Sequence, residues 1–154
     1  MTDHPLEIVR ASPIHLGPLA AFFSVIAADP GSEHFHPHPF DLVNAERISG
    51  YPGRDLYYLA TTDRVAAYGM LRGWDEGYAV PSLWIVVHPD SRGTGLGKVL
   101  MQFLHQAART RGAEQIRLKV YSSNAVARRL YEKLGYRFQG EEAGQCVGVL
   151  TLVS

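Results

Sequence analysis

The sequence predicts an α+β, or mixed α/β, fold with a single sheet, in one domain that spans residues 1–154. Two observations lead to this prediction. The spacing of apolar residues changes several times between that of strands and that of helices, which is typical of helices packed on a sheet. No stretch has the composition of a linker and no segment repeats another. A chain of 154 residues therefore fits one domain with a buried core.

The first half of the chain predicts four strands and two helices. Ser12 and Pro13 are typical of a helix start, because proline fits the first helical turn. The run 83–87 is apolar at every position, as in a central strand that is buried on both faces. The predicted elements are a strand at 6–9, a helix from 12 to a stop at 29–31, a helix at 41–49 with Leu42, Ala45 and Ile48 inward, and strands at 56–61, 65–72 and 78–88.

The second half predicts two helices and three strands. A strongly amphipathic helix ends at Gly112, and its apolar stripe is Leu96, Val99, Leu100, Phe103, Leu104 and Ala107. This stripe leaves His105 on the exposed surface. The remaining predictions are a strand at 116–121, a helix at 124–134 that Gly135 closes, and last strands near Phe138 and at 147–153.

Composition excludes several classes of protein. Hydrophobic residues make up 46% of the chain and charged residues 19%, which excludes disorder. Fifteen basic and fifteen acidic residues leave no overall charge that would attract nucleic acid or an anionic membrane. No apolar run exceeds five residues and the N-terminus has no secretory signal, so we expect a cytoplasmic protein without a membrane span. The single Cys146 cannot form an internal disulfide and is expected to be a small buried residue.

The most informative segment is 86–98, which passes from a buried strand through a glycine-rich turn into a helix. Gly93, Gly95 and Gly97 remove side chains at the point where the helix begins. Backbone N–H groups at the positive end of a helix dipole form an anion site. Arg92 and Lys98 add positive charge beside this turn, so the segment predicts a phosphate or pyrophosphate cradle.

Two common nucleotide-binding loops do not fit this segment. A P-loop requires G-x-x-x-x-G-K-S/T, but Val99 follows Gly97 and Lys98, and Arg92 stands where the first glycine is needed. A dinucleotide-binding turn requires G-x-G-x-x-G, but its third glycine would fall on Lys98 or Leu100.

The pattern R-x-x-G-x-G, carried by Arg92, Gly95 and Gly97 after the strand end 87–89, resembles the pyrophosphate loop of the GNAT superfamily of acetyl-CoA-dependent N-acetyltransferases. A second match follows at the right distance. Ser123-Asn124-Ala125 and the run L-Y-E-K-L-G-Y at 130–136 resemble the other signature of that family. The two motifs stand in the family's order, and the predicted elements match nearly the whole chain.

The resemblance implies a mostly antiparallel sheet that is splayed between its fourth and fifth strands, with the pantetheine arm of acetyl-CoA in the gap. Strand-four contacts fall on Ile85, Val86 and Val87, and Asn124 matches a side chain that binds the same arm. The pyrophosphate contacts fall on Arg92, Gly93, Thr94, Gly95, Leu96, Gly97 and Lys98. Asn124 is also a good helix N-cap, and could serve only as that.

The implied activity is transfer of acetyl from acetyl-CoA to an amine, by direct attack in a ternary complex and without a metal. Tyr131 matches the tyrosine that protonates the leaving thiolate, although a core aromatic residue is the alternative. Two carboxylates of better-known members are absent, because 81–87 contains none and the strand-five glutamate of ribosomal-protein alanine acetyltransferases corresponds to Lys119. This absence favours the alternative function, a CoA-binding sensor or interaction module without catalysis.

The segment 33–40 contains His34, His36 and His38 together with Pro37 and Pro39. Because histidine titrates near neutral pH, His36 and His38 are the candidate general bases, with an ordered water as the third. A polar loop is an equal alternative, and a three-histidine metal site ranks last. The expected partner is a small-molecule amine, with no nucleic acid and no membrane. The family also implies a route to a homodimer through the C-terminal strands.

Overall fold

The computed structural model describes residues 4–30 and 37–152. Within these ranges the helices are α1 Leu16–Ala28, α2 Leu42–Ser49, α3 Leu96–Arg111 and α4 Ala125–Lys133. The strands are β1 Glu7–Arg10, β2 Leu56–Thr61, β3 Val65–Arg72, β4 Ser82–Val87, β5 Gln115–Tyr121, β6 Arg137–Glu142 and β7 Gln145–Thr151. This succession of elements confirms the predicted order.

The strands form one sheet in the order β1-β2-β3-β4-β5-β7-β6. Every neighbouring pair is antiparallel except β4 and β5, which are parallel. These two strands share one register pair, Ser82 with Arg117, and then diverge. The predicted fold class is therefore confirmed, including the splay between the fourth and fifth strands.

Helices cover both faces of the sheet. Phe22 and Phe23 of α1 pack with Tyr68 and Met70 of β3 in one buried cluster, which also holds residues of α2. Leu100 and Leu104 of α3 belong to a second cluster on the opposite face. Gly69 lies between Tyr68 and Met70, and a side chain there would meet Leu104 at 2.9 Å. Burial on both faces explains why β3 is apolar at nearly every position.

The predicted apolar stripe of α3 is partly wrong, because the buried face is rotated by a fraction of a turn about the helix axis. Its buried residues are Leu96, Leu100, Met101, Leu104, His105 and Ala108, whereas Val99 is 45% exposed. His105 is 7% exposed and packs against Tyr136, so its expected surface position is also wrong. The helix presents Leu100, Leu104 and Ala108 to the sheet, and Phe103 faces Tyr58 at its margin. Spacing alone could not separate these two faces.

Two further predictions need correction. The strand expected at 78–88 covers only Ser82–Val87, because Gly77 adopts a left-handed conformation and the Tyr78 N–H turns back to the Gly73 carbonyl. Leu42, expected inward on α2, is 58% exposed, whereas Ala45, Ile48 and Ser49 are buried.

In the described ranges 4–30 and 37–152, no helix combines the length and the apolar character that crossing a bilayer requires.

Candidate active site

The gap between β4 and β5 exposes one edge of β4. The His88 N–H donates to the Ala66 carbonyl on the β3 side, whereas the Pro81 carbonyl accepts from the Arg117 N–H on the β5 side. Backbone direction alternates along a strand, so Ile85 and Val87 direct their N–H and C=O groups to the side on which the Pro81 carbonyl lies, into the gap. Beyond Ser82 no residue of the described β5 is in register with β4. These groups can therefore pair with an extended chain of amides.

A glycine turn lies at the end of β4. Gly93 and Gly95 have φ of 79° and 85°, the left-handed region that favours glycine. Gly95 is the N-cap of α3 and provides no side-chain cap, so the first N–H groups of the helix point to solvent. A side chain at Gly97 would reach 3.4 Å from Val87 Cγ2, so glycine lets α3 begin close to β4. This arrangement fits an anion.

The polar side chains of this turn differ in their contacts. The Arg92 guanidinium lies 2.6 Å from the Asp29 carboxylate at the end of α1, so it ties the turn to that helix. Thr94 donates its hydroxyl proton to the Ser91 carbonyl at 2.6 Å, inside the turn. Lys98 is exposed on the first turn of α3. Arg92 is 40% exposed at its side chain, so it still reaches the surface beside the glycines.

A cleft of about 180 Å³ lies where β4 and β5 diverge, and we call it the gap cleft. Its lining includes Trp84, Ile85, Lys119, Asn124 and Tyr131. Asn124 is the N-cap of α4, since its Oδ1 accepts from the Ala127 N–H at 3.2 Å. The capping alternative is thus present in the structure. It uses the amide oxygen of Asn124 and leaves the amide N–H₂ to donate at the cleft.

Tyr131 is half-buried in the wall of the gap cleft. Burial raises the pKa of its phenol, which favours the protonated form. Its ring packs edge-on against Tyr136, with centroids 5.9 Å apart. The hydroxyl of Tyr136 is hydrogen-bonded to His105 Nε2 at 2.7 Å. A buried layer therefore supports the position of Tyr131.

The histidine segment lies only partly within the described residues. His34 and His36 fall outside them. His38 is 8% exposed, and its Nε2 lies 2.8 Å from the Tyr68 hydroxyl. Its Nδ1 lies 2.8 Å from the Pro39 carbonyl oxygen, and burial lowers its pKa. Both ring nitrogens are engaged within the core, so this arrangement favours a structural role for His38 over that of a free base.

A second cleft, which we call the acceptor cleft, has a volume of about 530 Å³. It adjoins the gap cleft, because Trp84 and Lys119 line both. Its charged lining residues are Arg72, Glu76, Arg117 and Lys119. These residues lie on different strands and one turn, so only the register of the sheet brings them together. Alternation in 116–121 is one sequence signal for this cleft, since it places Arg117 and Lys119 on one face.

Asp75 and Cys146 have structural roles. The Asp75 carboxylate accepts from the Tyr51 hydroxyl and from the Arg54 and Asp55 N–H groups, so it braces the loop before β2. Cys146 is buried on β7, as expected. Over residues 4–30 and 37–152, no group of three or more His, Cys, Asp or Glu side chains is arranged to hold a metal ion.

Comparison with known proteins bears on this geometry. The model of the acetyltransferase (GNAT) family matches residues 20–136. A spermine/spermidine N(1)-acetyltransferase of Bacillus subtilis is 30% identical over 104 residues, which cover 65% of this chain and 68% of that protein.

Solved structures share the fold. The ribosomal-protein-S18-alanine N-acetyltransferase of Escherichia coli superimposes with a TM-score of 0.71 at 23% identity, over 97% of this chain and 96% of that one. The PaiA N-acetyltransferase of Thermoplasma acidophilum, solved in complex with coenzyme A, has a TM-score of 0.72 at 17% identity, over 96% and 99% of the two chains. The family model covers more than half of the chain, and the splayed strands and glycine turn fit it. The chain therefore belongs to the GNAT family of acetyltransferases and is an acyltransferase.

Proposed function

We propose that this chain transfers an acetyl group from acetyl-CoA to the amine of a small molecule, by direct attack within a ternary complex. The observation that carries the proposal is the alignment of three features along one path. These are the N–H groups at the start of α3, the outward-facing backbone of Ile85 and Val87, and the Tyr131 side chain in the gap cleft. The single sheet also supports our inference that the chain acts as one domain.

The proposed contacts with acetyl-CoA follow this path. When bound, acetyl-CoA supplies the acetyl group as a thioester. The N–H groups of residues 93–98 would hold the pyrophosphate at the positive end of the helix dipole, while Arg92 keeps the turn against Asp29. Ile85 and Val87 would pair with the amides of the pantetheine arm, and the Asn124 amide would donate to it. A β4 N–H that faces the gap, such as that of Val87, would donate to a carbonyl oxygen held there.

Tyr131 is the proposed general acid. When the acceptor nitrogen bonds to the acetyl carbon, the carbon–sulfur bond breaks and the sulfur needs a proton. The buried phenol of Tyr131 retains its proton at neutral pH, since burial raises its pKa. The packing of Tyr131 on Tyr136 limits the positions that the ring can take. A positioned acid of this kind accelerates a step by about 10²- to 10⁴-fold.

The acceptor amine must lose a proton before it attacks. A primary amine with a pKa of about 10 is uncharged in about one molecule in a thousand at pH 7, which costs about 4 kcal/mol. Since both nitrogens of His38 are engaged, we propose that His36 or an ordered water takes this proton. Glu76 is the carboxylate that lines the acceptor cleft and can accept a proton through such a water.

The test is acetyl transfer across a panel of small amines, measured as free CoA thiol and as acetylated product by mass spectrometry. We expect both products in equal amounts, with saturation by each substrate. Binding of acetyl-CoA without transfer to any amine would instead support the alternative function, a CoA-binding module. The lack of a carboxylate on β4 and the presence of Lys119 on β5 are the two features that favour this alternative.

A further inference from the structure

We propose that the acceptor amine carries an anionic group, a carboxylate or a phosphate, which Arg72, Ser82 and Arg117 bind in the acceptor cleft. The inference rests on the proposed acetyl transfer and adds the chemical class of the acceptor.

The register of the sheet builds this anion site. Arg72 at the end of β3 pairs with Ser82 of β4, and Ser82 pairs with Arg117 of β5. The three residues form a row across adjacent strands, with side chains on one face. Neighbouring strands lie about 4.8 Å apart, so the two arginines flank the serine with backbones about 10 Å apart. A guanidinium is a planar fork of N–H donors that can bind the oxygens of a carboxylate or phosphate, and the Ser82 hydroxyl is a further donor.

The charges of the acceptor cleft favour an anion. Arg117 and Lys119 share one carboxylate, Glu142, at 3.6 and 3.1 Å. The side chains of both cations are 34% exposed, so a ligand can reach them. Arg72 donates to the Pro37 carbonyl at 2.7 Å, and no described carboxylate lies within salt-bridge distance of it. With Glu76, the group comprises three cations and two carboxylates, a net charge of one positive unit.

The row of Arg72, Ser82 and Arg117 lies on the side of the acceptor cleft that adjoins the gap cleft and Tyr131. Trp84 and Lys119 each lie two residues beyond the row on β4 and β5, and both line the two clefts. An acceptor with its anion at the row would therefore extend its amine past Trp84 towards Tyr131. The acceptor cleft, at about 530 Å³, is within the range of small-molecule sites.

The same charges disfavour a polycation. A relative at 30% identity is a spermine/spermidine N(1)-acetyltransferase, and its acceptors carry only positive charge. In this chain such an acceptor would approach Arg72, Arg117 and Lys119. The proposed anion site predicts that acceptors with an anion are acetylated best. The similarity to that relative would instead predict that polyamines are, so one assay distinguishes the two.

The experiment compares kcat/KM, expressed per unprotonated amine, for acceptors that are paired with and without the anion. The pairs are α-amino acids with their amides, and phosphoethanolamine with ethanolamine, with spermidine as the polycation. We expect kcat/KM to be about tenfold or more higher for the anionic member of a pair, the size of a charge-assisted contact. The amino-acid arm and the phosphate arm distinguish the two sources of the anion. Equal values within every pair, or the highest value for spermidine, would overturn the proposal.

Variants locate the effect. Arg117→Gln and Arg72→Gln should raise KM for the preferred anionic acceptor about tenfold and leave KM for its partner without the anion nearly unchanged. Arg117→Lys should restore only part of the loss, since lysine retains the charge without the fork. Arg109→Gln, on the exposed surface of α3, is the matched control and should change neither value. An unchanged preference in both cleft variants would contradict the assigned site.

A binding arm separates this proposal from the proposed function. Calorimetry with the protein–CoA complex measures binding of N-acetylated amino acids and of N-acetylphosphoethanolamine, each against its uncharged analogue. Anion-selective binding that Arg117→Gln abolishes would uphold the site even if no amine were acetylated. Acetyl transfer without anion selectivity would uphold the proposed function and overturn the site. The absence of binding by every anionic ligand would also overturn the site.

Discussion

Ser82 on β4 lies in register with Arg117 on β5, and no second pair joins these two described strands. The pair marks the point where the sheet opens. On one side of it, Ile85 and Val87 direct their backbone groups into the gap. At the pair itself, Arg72 completes a row of polar side chains. One departure from regular pairing thus creates both the gap cleft and one wall of the acceptor cleft.

Replacement of Tyr131 by phenylalanine tests the proposed acid. Tyr131→Phe should lower kcat by about 10²-fold or more, because the sulfur then leaves without a positioned proton donor. The ring that packs on Tyr136 is retained, so the affinity for CoA should be nearly unchanged. Steady-state kinetics and calorimetry measure the two quantities. Tyr58→Phe, which faces Phe103 away from the gap cleft, is the control. A Tyr131→Phe enzyme with normal kcat would leave Tyr131 as core packing only.

Backbone strain at the glycine turn is testable with a matched pair of substitutions. A side chain at Gly95 or at Gly17 meets nothing within 4 Å, but only Gly95 has a positive φ, of 85°. Gly95→Ala should therefore destabilise the fold by about 1–2 kcal/mol and weaken acetyl-CoA binding. Gly17→Ala, within α1, should be neutral or stabilising by up to about 1 kcal/mol. Urea unfolding of both variants measures the difference, and equal stabilities would show that the conformation of Gly95 carries no strain.

The Arg92 ion pair predicts a specific binding defect. Arg92→Gln should weaken acetyl-CoA binding about tenfold, because it removes a cation beside the turn and the tie to Asp29. Arg64→Gln is the matched control, since Arg64 pairs at 3.3 Å with Asp90, which precedes the glycines of the turn. Calorimetric titration distinguishes them. Equal losses in the two variants would show that a general loosening of the loop, and not Arg92, is responsible.

Buried His105 makes stability depend on pH. Burial lowers its pKa to about 4 in the folded protein, against about 6.5 in an unfolded chain. Between these values the unfolded chain binds a proton that the folded chain excludes, so stability is complete above pH 6.5 and is lost as the pH falls towards 4. The loss from His105 should reach about 2 kcal/mol at pH 5.

Unfolding in urea at pH 7 and pH 5 measures this loss. Burial also lowers the pKa values of His38 and His88, so the wild-type chain should lose more than the share of His105. His105→Gln should reduce the pH-dependent loss by the share of His105. A variant with the same pH dependence as the wild type would contradict the assignment.

Local sequence signals predicted the glycine turn and the helix ends, because a left-handed conformation or a helix cap favours a particular residue type at one position. Gly112 and Gly135 end their helices with positive φ, as expected. No single position predicted the row of cleft residues. Arg72, Ser82 and Arg117 are distant in sequence, and only strand register makes them neighbours. The burial of His105 also depends on tertiary packing, since both faces of α3 carry apolar residues.

The cytoplasmic location, the homodimer and the role of His36 stay predictions. They depend on the cellular context, on a second copy of the chain, and on a segment outside the described residues, respectively.

Thermal unfolding with and without acetyl-CoA tests the central claim most directly, since the account requires a cradle at the glycine turn and a gap beside β4. Ligand at one hundred times its dissociation constant stabilises the native state by about 2.7 kcal/mol. For a chain of this size the midpoint should rise by roughly 5–10 °C. Such a shift, smaller in Gly95→Ala at the same acetyl-CoA concentration, is the predicted result. An unchanged midpoint at millimolar acetyl-CoA would contradict the account, because the turn would then not be a working site.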